Sequence, residues 1–205
     1  MEIRELTLPT KQEMDALVGV LQASFWRTPL FREYLFHGRE ALSRTFLKAL
    51  TVYSLRAGRV FAGVRNGRIV AVSLWSLPGS PAMGLKGYLK TGMAWGMLSI
   101  VLRSPRAMRR IAVLFRFLEI YAPEFPCNSL EFLASAERGA GAELLRGCLP
   151  SFTDYPRYVE SIVSKNDHAY YRQFGFEPFA RADFHGTDYA FALLREGCAA
   201  DGGNP

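Results

Sequence analysis

The sequence has few cysteines and no apolar segment long enough to cross a bilayer. Cys127, Cys148 and Cys198 form no CxxC pair and no metal-ligand spacing, and their number is odd. These features exclude a disulfide framework and predict free thiols in a reducing cytoplasm. The first residues are strand-like rather than typical of a targeting segment, and the longest apolar run, residues 91–102, is too short for a membrane span.

Acidic residues are missing from a long central span. No Asp or Glu occurs between Ala41 and Leu118, whereas the whole chain carries a net charge of +6. A surface of one sign attracts anions, which could be a phosphorylated cofactor, an acidic substrate, a membrane or a nucleic acid. Solvated helix faces that merely lack acids explain the same span. The basic residues of the span are Arg44, Lys48, Arg56, Arg59, Arg65, Arg68, Lys86, Lys90, Arg103, Arg106, Arg109, Arg110 and Arg116.

The composition fits one globular domain. With 205 residues, 49% hydrophobic and 21% charged, the chain is long enough to bury a sizeable core. We expect a single domain over residues 1–197 and a disordered tail over 198–205. The chain shows no internal repeat and no low-complexity linker.

Hydrophobic periodicity and turn residues predict an alternation of strands and helices. Thr10 and Glu13 form a capping-box pattern, His37-Gly38 interrupts a helical region, and Asn66-Gly67 is typical of a β-hairpin turn. The predicted order is strand 2–7, a helix after Thr10, helical region 30–57, hairpin 59–75, helical insertion 84–121, strand 129–134, helix 142–149, strand 158–163, a short helix, and strands 176–182 and 188–194.

The insertion has two unlike halves. Its first half is apolar around Trp95, and its second half is a basic amphipathic helix with Met108, Ile111 and Phe115 on one face. A basic amphipathic helix can lie on an anionic membrane. It can also cover a core, and we favour a lid over a ligand cleft.

The most informative motif follows the strand at 158–163. Asn166 is followed by Tyr171 and then by Gly175-Phe176, and Gly175 is placed to end a short helix. This segment resembles the closing part of the GNAT superfamily of N-acetyltransferases, as does the order of elements along nearly the whole chain. The ending Trp75-Ser-Leu-Pro78-Gly79 resembles bacterial members with a helical insertion after the third strand. The resemblance implies an α/β (α+β) fold with a mixed, mostly antiparallel sheet flanked by helices.

The family's pyrophosphate loop has a shortened, degenerate counterpart here. Helix-initial amides and glycines suit a phosphate because they offer N–H donors and close approach. One alignment places Gly139 and Gly141 on the motif glycines, and the other uses Arg138-x-x-Gly141 and places Glu143 on a small position. By resemblance, acetyl-CoA is the cosubstrate, and Asn166 holds its pantetheine arm. The cofactor-binding residues expected on this basis are Leu133, Ala134, Ser135, Arg138, Gly139, Ala140, Gly141, Ala142 and Asn166.

The resemblance also implies roles in catalysis. Tyr171 would be the acid that protonates the leaving thiolate, and Ala134 and Ser135 would offer backbone groups to the oxyanion. Glu131 is the candidate base, with a rim carboxylate facing solvent as the alternative and Glu160 as a second candidate. Trp26, Phe31 and Trp75 are placed to line an acceptor pocket, although core packing explains them equally well. No metal cluster and no Ser/His/Asp order emerges from the sequence.

The main hypothesis is that the protein is an acetyl-CoA-dependent N-acetyltransferase. It would act on a small-molecule amine by direct attack in a ternary complex. A second hypothesis is that the protein has the GNAT fold but has lost acetyl-CoA chemistry. It would then have another catalytic or ligand-binding role within a biosynthetic pathway. A third is an interaction protein that docks an anionic membrane or nucleic acid through its basic span. No nucleic-acid module is present to support nucleic-acid binding, and we expect a monomer or a homodimer.

Overall fold

A hairpin closed by Asn66 and Gly67 organises the sheet. Both residues have positive φ, 52° and 72°, as a two-residue turn between right-twisted strands requires. The computed structural model describes residues 1–81, 85–162 and 168–195. Its strands are β1 Glu2–Glu5, β2 Gly58–Arg65, β3 Arg68–Ser76, β4 Asn128–Ser135, β5 Arg157–Ile162, β6 Glu177–Phe184 and β7 Thr187–Leu194.

These seven strands form one sheet in the order β1-β2-β3-β4-β5-β7-β6. Every neighbouring pair is antiparallel except β4 and β5, which are parallel. The parallel pair has only three rungs, from Asn128–Arg157 to Leu130–Val159. Beyond Leu130 the two strands separate, and the sheet opens into a wedge. The mixed, mostly antiparallel sheet confirms the predicted fold class.

A β-bulge lies where the wedge begins. Leu74 of β3 faces Phe132 and Trp75 faces Leu130, so Glu131 has no partner residue in β3. One extra residue in a strand interrupts the alternation of its side chains between the two faces. Phe132 and Ala134 therefore pack into one core, whereas Leu130 packs into the other.

The helices confirm most of the predicted pattern. Thr10 and Glu13 form the expected capping box, and residues His37 and Gly38, with φ of 47° and 72°, end a short π-helix over Leu30–Leu35. The other helices are α1 Lys11–Phe25, α2 Glu40–Ala57, α3 Leu85–Thr91, α4 Ala94–Arg103, α5 Pro105–Tyr121, α6 Ala140–Cys148 and α7 His168–Arg172. No helix within the described ranges is long and apolar enough to span a membrane.

The sheet separates two cores. The larger core lies between the sheet and helices α1, α2, α4 and α5, and contains Leu17, Leu21, Phe46, Leu47 and Ile111 among its fully buried side chains. The smaller core lies under α6, where Leu144 and Leu145 pack against β3 and β4. Helices α3 to α5 form the predicted insertion, and α5 lies across the wedge side of the larger core.

Candidate active site

The wedge between β4 and β5 contains a cavity of about 450 Å³. We call it the wedge cavity. Its walls come from β4, β5, α1, α5 and the two tyrosines of α7. Its lining includes Phe25, Phe31, Leu114, Phe115, Glu131, Leu133, Ser135, Gly141, Glu160, Tyr170 and Tyr171.

A second cavity of about 330 Å³ lies beside the first, between α5 and the segments that follow β3 and α5. We call it the loop cavity, because Pro78, Gly79 and Pro126 contribute to its walls. Four residues line both cavities, and two of them are carboxylates: Phe115, Leu118, Glu131 and Glu160. The carboxylates therefore form part of the partition between the cavities.

Strand register places Glu131 beside Glu160. Leu130 and Val159 form the last rung of the parallel pair, so the two glutamates are the next residues on each strand. Tyr158 and Ile162 pack in the larger core, and alternation in β5 gives Glu160 the same face. The bulge at Glu131 adds the residue that allows its side chain to reach this partition as well. Two carboxylates thus meet where the strands separate.

Both glutamates have pKa values raised above the ordinary carboxyl range. Loss of solvation is the main cause for each, because their accessible surface faces the cavities rather than bulk water. The charge of Glu131 raises the pKa of Glu160 further, while the Tyr158 hydroxyl opposes that rise. The hydroxyls of Ser76 and Ser129 oppose the rise at Glu131. Two like charges this close do not ionise independently.

Tyr171 is the residue to which the resemblance assigned the role of acid. It borders the wedge cavity, and its ring packs edge-on against Phe176 with the centroids 5.8 Å apart. Tyr170 borders the same cavity and packs edge-on against Tyr171 at 5.0 Å. Both tyrosines of helix α7 therefore border the wedge cavity. Sequence reasoning gave a role to only one of them.

The first turn of α6 faces the same cavity. Only four residues, 136–139, connect β4 to α6, and Gly139 before the helix has a φ of 80°. A Cβ added to Gly141 would come within 3.2 Å of the Tyr170 hydroxyl and 3.5 Å of the Ser135 hydroxyl. The N–H groups of Gly141 and Ala142 precede the first intrahelical hydrogen bond, which Glu143 donates to Gly139 at 3.0 Å. These donors and the missing side chain form a cradle.

Glu143 does not face this cradle. It accepts from the amino group of Met1 at 2.6 Å and from Arg65 at 2.8 Å. Because it follows Gly141 by two residues, it points to nearly the opposite side of the helix. This geometry favours the alignment in which Gly139 and Gly141 occupy the glycine positions. Arg138 is exposed and makes no ion pair with the described residues.

Backbone direction separates the two expected oxyanion donors. The N–H of Ala136 donates to Val70 at 2.8 Å, so alternate residues of β4, including Ala134, direct their backbone groups toward β3. Leu133 and Ser135 direct theirs toward the wedge, where the Ser135 carbonyl accepts from the Ser24 hydroxyl at 3.4 Å. Ala134 lines the cavity but is not the donor that we expected, because its N–H faces the neighbouring strand.

The three predicted acceptor-pocket aromatics have different positions. Phe31 lines the wedge cavity and packs edge-on against Phe132. Trp26 packs at the edge of the larger core and is absent from the described lining of both cavities. Trp75 is fully buried in the smaller core, where its indole N–H donates to Ser73 at 3.0 Å and its ring packs on Phe152. Trp75 is therefore a core residue rather than a pocket residue.

The remaining predicted positions are less informative. Asn166 lies outside the described residues. Ala140 is fully buried in the smaller core, Gly139 precedes the helix, and Ala142 is half-buried in its first turn. No group of three or more His, Cys, Asp or Glu side chains that could hold a metal occurs within the described ranges.

The sequence analysis gave Glu160 only as a second candidate for the base, although it lines both cavities. It did not identify Tyr170 and Cys127 as lining residues. A signal for Glu160 was present: it alternates with Tyr158 and Ile162, so a carboxylate occupies an otherwise apolar strand face. No sequence pattern marked Cys127. Burial and the charges of Glu131 and Glu160 raise the pKa of its thiol to about 11.

Comparison with known proteins identifies the architecture. No family model matches the sequence, and no curated protein is significantly similar to it. Among solved structures, the chain is similar to an acetyltransferase from Corynebacterium glutamicum, which is described as histone acetyltransferase HPA2 and related acetyltransferase. The TM-score is 0.66 and the sequence identity is 18%. The match covers 98% of this chain and 99% of that one.

Two further solved structures agree. An N-acetyltransferase from Staphylococcus aureus gives a TM-score of 0.63 at 14% identity and covers 95% of this chain and 100% of its own. A protein from Desulfovibrio desulfuricans that is assigned to the GNAT acetyltransferase family gives 0.51 at 11% identity, covering 95% and 98%. Identities this low compare folds rather than activities. Over nearly its whole length, the chain has the GNAT fold.

Proposed function

We propose that the protein is an acetyl-CoA-dependent N-acetyltransferase that acts on a small-molecule amine. One observation carries the proposal: two carboxylates, Glu131 and Glu160, lie at the junction of two cavities, one of which also borders Tyr171 and the cradle of α6. An acyl donor and an amine could reach the same point from different sides. Direct transfer in a ternary complex requires this arrangement.

We assign the acyl donor to the wedge cavity. The N–H groups of Gly141 and Ala142 and the exposed Arg138 offer a pyrophosphate both hydrogen bonds and positive charge. The backbone groups of Leu133 and Ser135 are available to a pantetheine arm, because they face away from β3. Acetyl-CoA supplies a thioester-activated acetyl group. The protein's share of the reaction lies in positioning and in two proton transfers.

Glu131 is our candidate for the base. A protonated amine is not nucleophilic, so a group beside it must accept a proton. Two hydroxyls favour the ionised form of Glu131, whereas the charge of Glu131 favours the protonated form of Glu160. Environments that push two carboxyl pKa values apart commonly separate base from acid. Oε of Glu131 would therefore take the amine proton, and Glu160 would stay protonated and orient its partner.

Tyr171 is our candidate for the acid. Tyr171 borders the cavity that the thioester would occupy, and its ring packs edge-on against Phe176. A phenol with an ordinary pKa near 10 can donate to a departing thiolate of similar basicity. One proton thus leaves the amine at Glu131, and another reaches sulfur from Tyr171. The nitrogen releases a second proton as the tetrahedral intermediate collapses, which restores the Tyr171 phenol, and Glu131 passes its proton to solvent.

The alternative is a GNAT-fold protein without transferase activity. The Tyr170 hydroxyl supports it, because a Cβ at Gly141 would come within 3.2 Å of that hydroxyl and the approach to the cradle is narrow. In that case the cavities would hold a ligand that lacks a diphosphate.

Thermal unfolding with acetyl-CoA tests the proposal. A concentration of about 100 times Kd should stabilise the native state by roughly 2.7 kcal/mol, whereas acetyl phosphate at equal ionic strength should not. With a panel of amines, release of free thiol should fall about 100-fold in kcat for Tyr171→Phe, with the thermal shift retained. Tyr170→Phe is the matched control and should keep most of the turnover. Absence of a shift at millimolar acetyl-CoA would establish the alternative.

A further inference from the structure

Helix α4 has an apolar surface on both of its sides. Arg103, its last residue, is its only charged residue. The inner side is buried, with Met97 3% and Ile100 0% exposed, whereas Trp95 is 80% and Leu102 75% exposed on the outer side. A helix that is hydrophobic all round is normally enclosed by protein or lipid. Within the described ranges, protein covers only one side of α4.

The orientation of α4 is fixed by close packing on α2. A Cβ added to Gly96 would lie 2.7 Å from the Cβ of Ala49, so the two helices approach more closely than larger residues would allow. Met93, one residue before the helix, is 1% exposed. The outward residues are therefore not core residues that have rotated away from their partners. They form a surface that we call the α4 patch: Leu89, Trp95, Leu98, Val101 and Leu102.

The charged residues of α3, α4 and the first turns of α5 are all positive. Lys90, Arg103, Arg106 and Arg109 are exposed, and they lie on α3, at the end of α4 and on the first turns of α5. The span from Ala41 to Leu118 contains no carboxylate to neutralise them. Exposed apolar side chains bordered by exposed cations match a partner that has an anionic outer layer and an apolar interior beneath it.

Other occupants match this surface less well. A symmetric pair of chains would place the same basic residues against each other. Nucleic acid would meet the cations but would leave the aliphatic residues Leu98, Val101 and Leu102 without an apolar partner. Residues 196–205 are mostly small or polar and contain no Leu, Ile, Val or aromatic residue that could cover an apolar stripe.

We propose that the α4 patch binds the interface of an anionic lipid bilayer. Trp95 and Leu102 insert among the headgroups, and Arg103 and Arg106 contact the lipid phosphates. The inner face of the neighbouring helix α5 lines both cavities through Phe115 and Leu118. The membrane-bound surface is thus adjacent to the helix that covers the site. The insertion would therefore contact a membrane and also form a lid over the cleft, the two roles that the sequence analysis gave as alternatives.

Vesicle co-sedimentation of the full chain tests this inference. At physiological ionic strength the protein should pellet with phosphatidylcholine vesicles that contain phosphatidylserine, and roughly tenfold less with phosphatidylcholine alone. Trp95→Ser/Leu102→Ser and Arg103→Glu/Arg106→Glu should each weaken binding about tenfold or more. Leu8→Ser and Arg181→Glu are the matched controls, because both residues are exposed outside the α4 patch, and they should bind like the wild type.

Tryptophan fluorescence reports the contact independently of affinity. Brominated lipids should quench the wild type but not Trp95→Phe, because Trp75 is fully buried and Trp26 is half-buried. No binding to phosphatidylserine vesicles, equal binding by the variants, or equal binding to neutral vesicles would overturn the proposal. So would a lipid-free dimer that Trp95→Ser dissociates, since a second copy would then cover the patch. Protection of Trp95 from acrylamide in the lipid-free monomer would also overturn it, since the chain itself would then cover the patch.

Discussion

The wedge cavity and the loop cavity share the same two carboxylates but differ in their other walls. Strand backbone, the start of α6 and two phenols surround the wedge cavity. Around the loop cavity lie short proline-containing segments and the half-buried Cys127. The wedge cavity offers groups suited to a phosphate and a thiolate. The loop cavity is more apolar, and the carboxylates Glu131 and Glu160 form one of its walls.

Because of this difference, the two cavities suit different components of the proposed reaction. The wedge cavity is built from regular elements whose register the fold determines, so it suits the component that every GNAT-type enzyme would share. The loop cavity is built from connections that can change without altering the sheet. It therefore suits the acceptor, and the carboxylate pair lies where the two components would meet. A substitution in one cavity should therefore affect one component of the reaction and not the other.

The largest effect should separate the two carboxylates. Glu131→Gln should lower kcat/KM about 100-fold, because it removes the proton acceptor. Glu160→Gln should instead preserve most of the activity and leave the rise of kcat/KM with pH nearly unchanged, because Glu160 is already neutral when Glu131 ionises. Initial rates across a pH series, with acetyl-CoA saturating, measure both effects. Equal losses in the two variants would contradict the assignment of one base.

A pair of filling substitutions should separate the cavities. Gly141→Leu places a side chain in the cradle and should weaken acetyl-CoA binding about tenfold or more, as measured by the thermal shift. Cys127→Phe fills the loop cavity and should raise KM for the amine while the acetyl-CoA shift stays unchanged. Each variant is the control for the other. If Cys127→Phe weakens acetyl-CoA binding and leaves the amine KM unaltered, the assignment of the cavities is reversed.

The smallest effect concerns stability against pH. The folded state raises the pKa of Glu160 above its ordinary value of 4.5, so it keeps a proton that the unfolded chain releases. The stability that this proton confers is full below pH 4.5 and declines as the pH rises through the folded pKa, by at most about 1.4 kcal/mol per pH unit. Glu160→Gln should flatten that decline in urea titrations. A wild-type slope retained in the variant would refute the shift.

Local sequence signals predicted most of the fold correctly. Thr10 with Glu13, His37-Gly38 and Asn66-Gly67 each specify a short-range backbone geometry, and all three occur where expected. The wedge was not predicted, because the separation of β4 from β5 depends on contacts between distant segments. Local chemistry cannot specify how far two parallel strands remain paired.

The site was predicted less completely than the fold. Phe31, Tyr171 and Gly141 line the expected cavity, whereas Trp75 lies in the opposite core. A large aromatic in a hairpin strand suits either face, and only the register of the sheet decides between them. No residue pattern marks the position of the bulge at Glu131, which changes the faces that neighbouring side chains occupy.

That extra residue in β4 also means that the strand tolerates losing it. If Glu131 were deleted rather than substituted, Leu130 opposite Trp75 and Phe132 opposite Leu74 would become consecutive, and the ladder with β3 would continue without a bulge. Phe132 and Ala134 would still face the larger core, and Leu130 would still face the smaller one. A shortened chain of 204 residues should therefore keep both cores and lose only the bulge and its carboxylate.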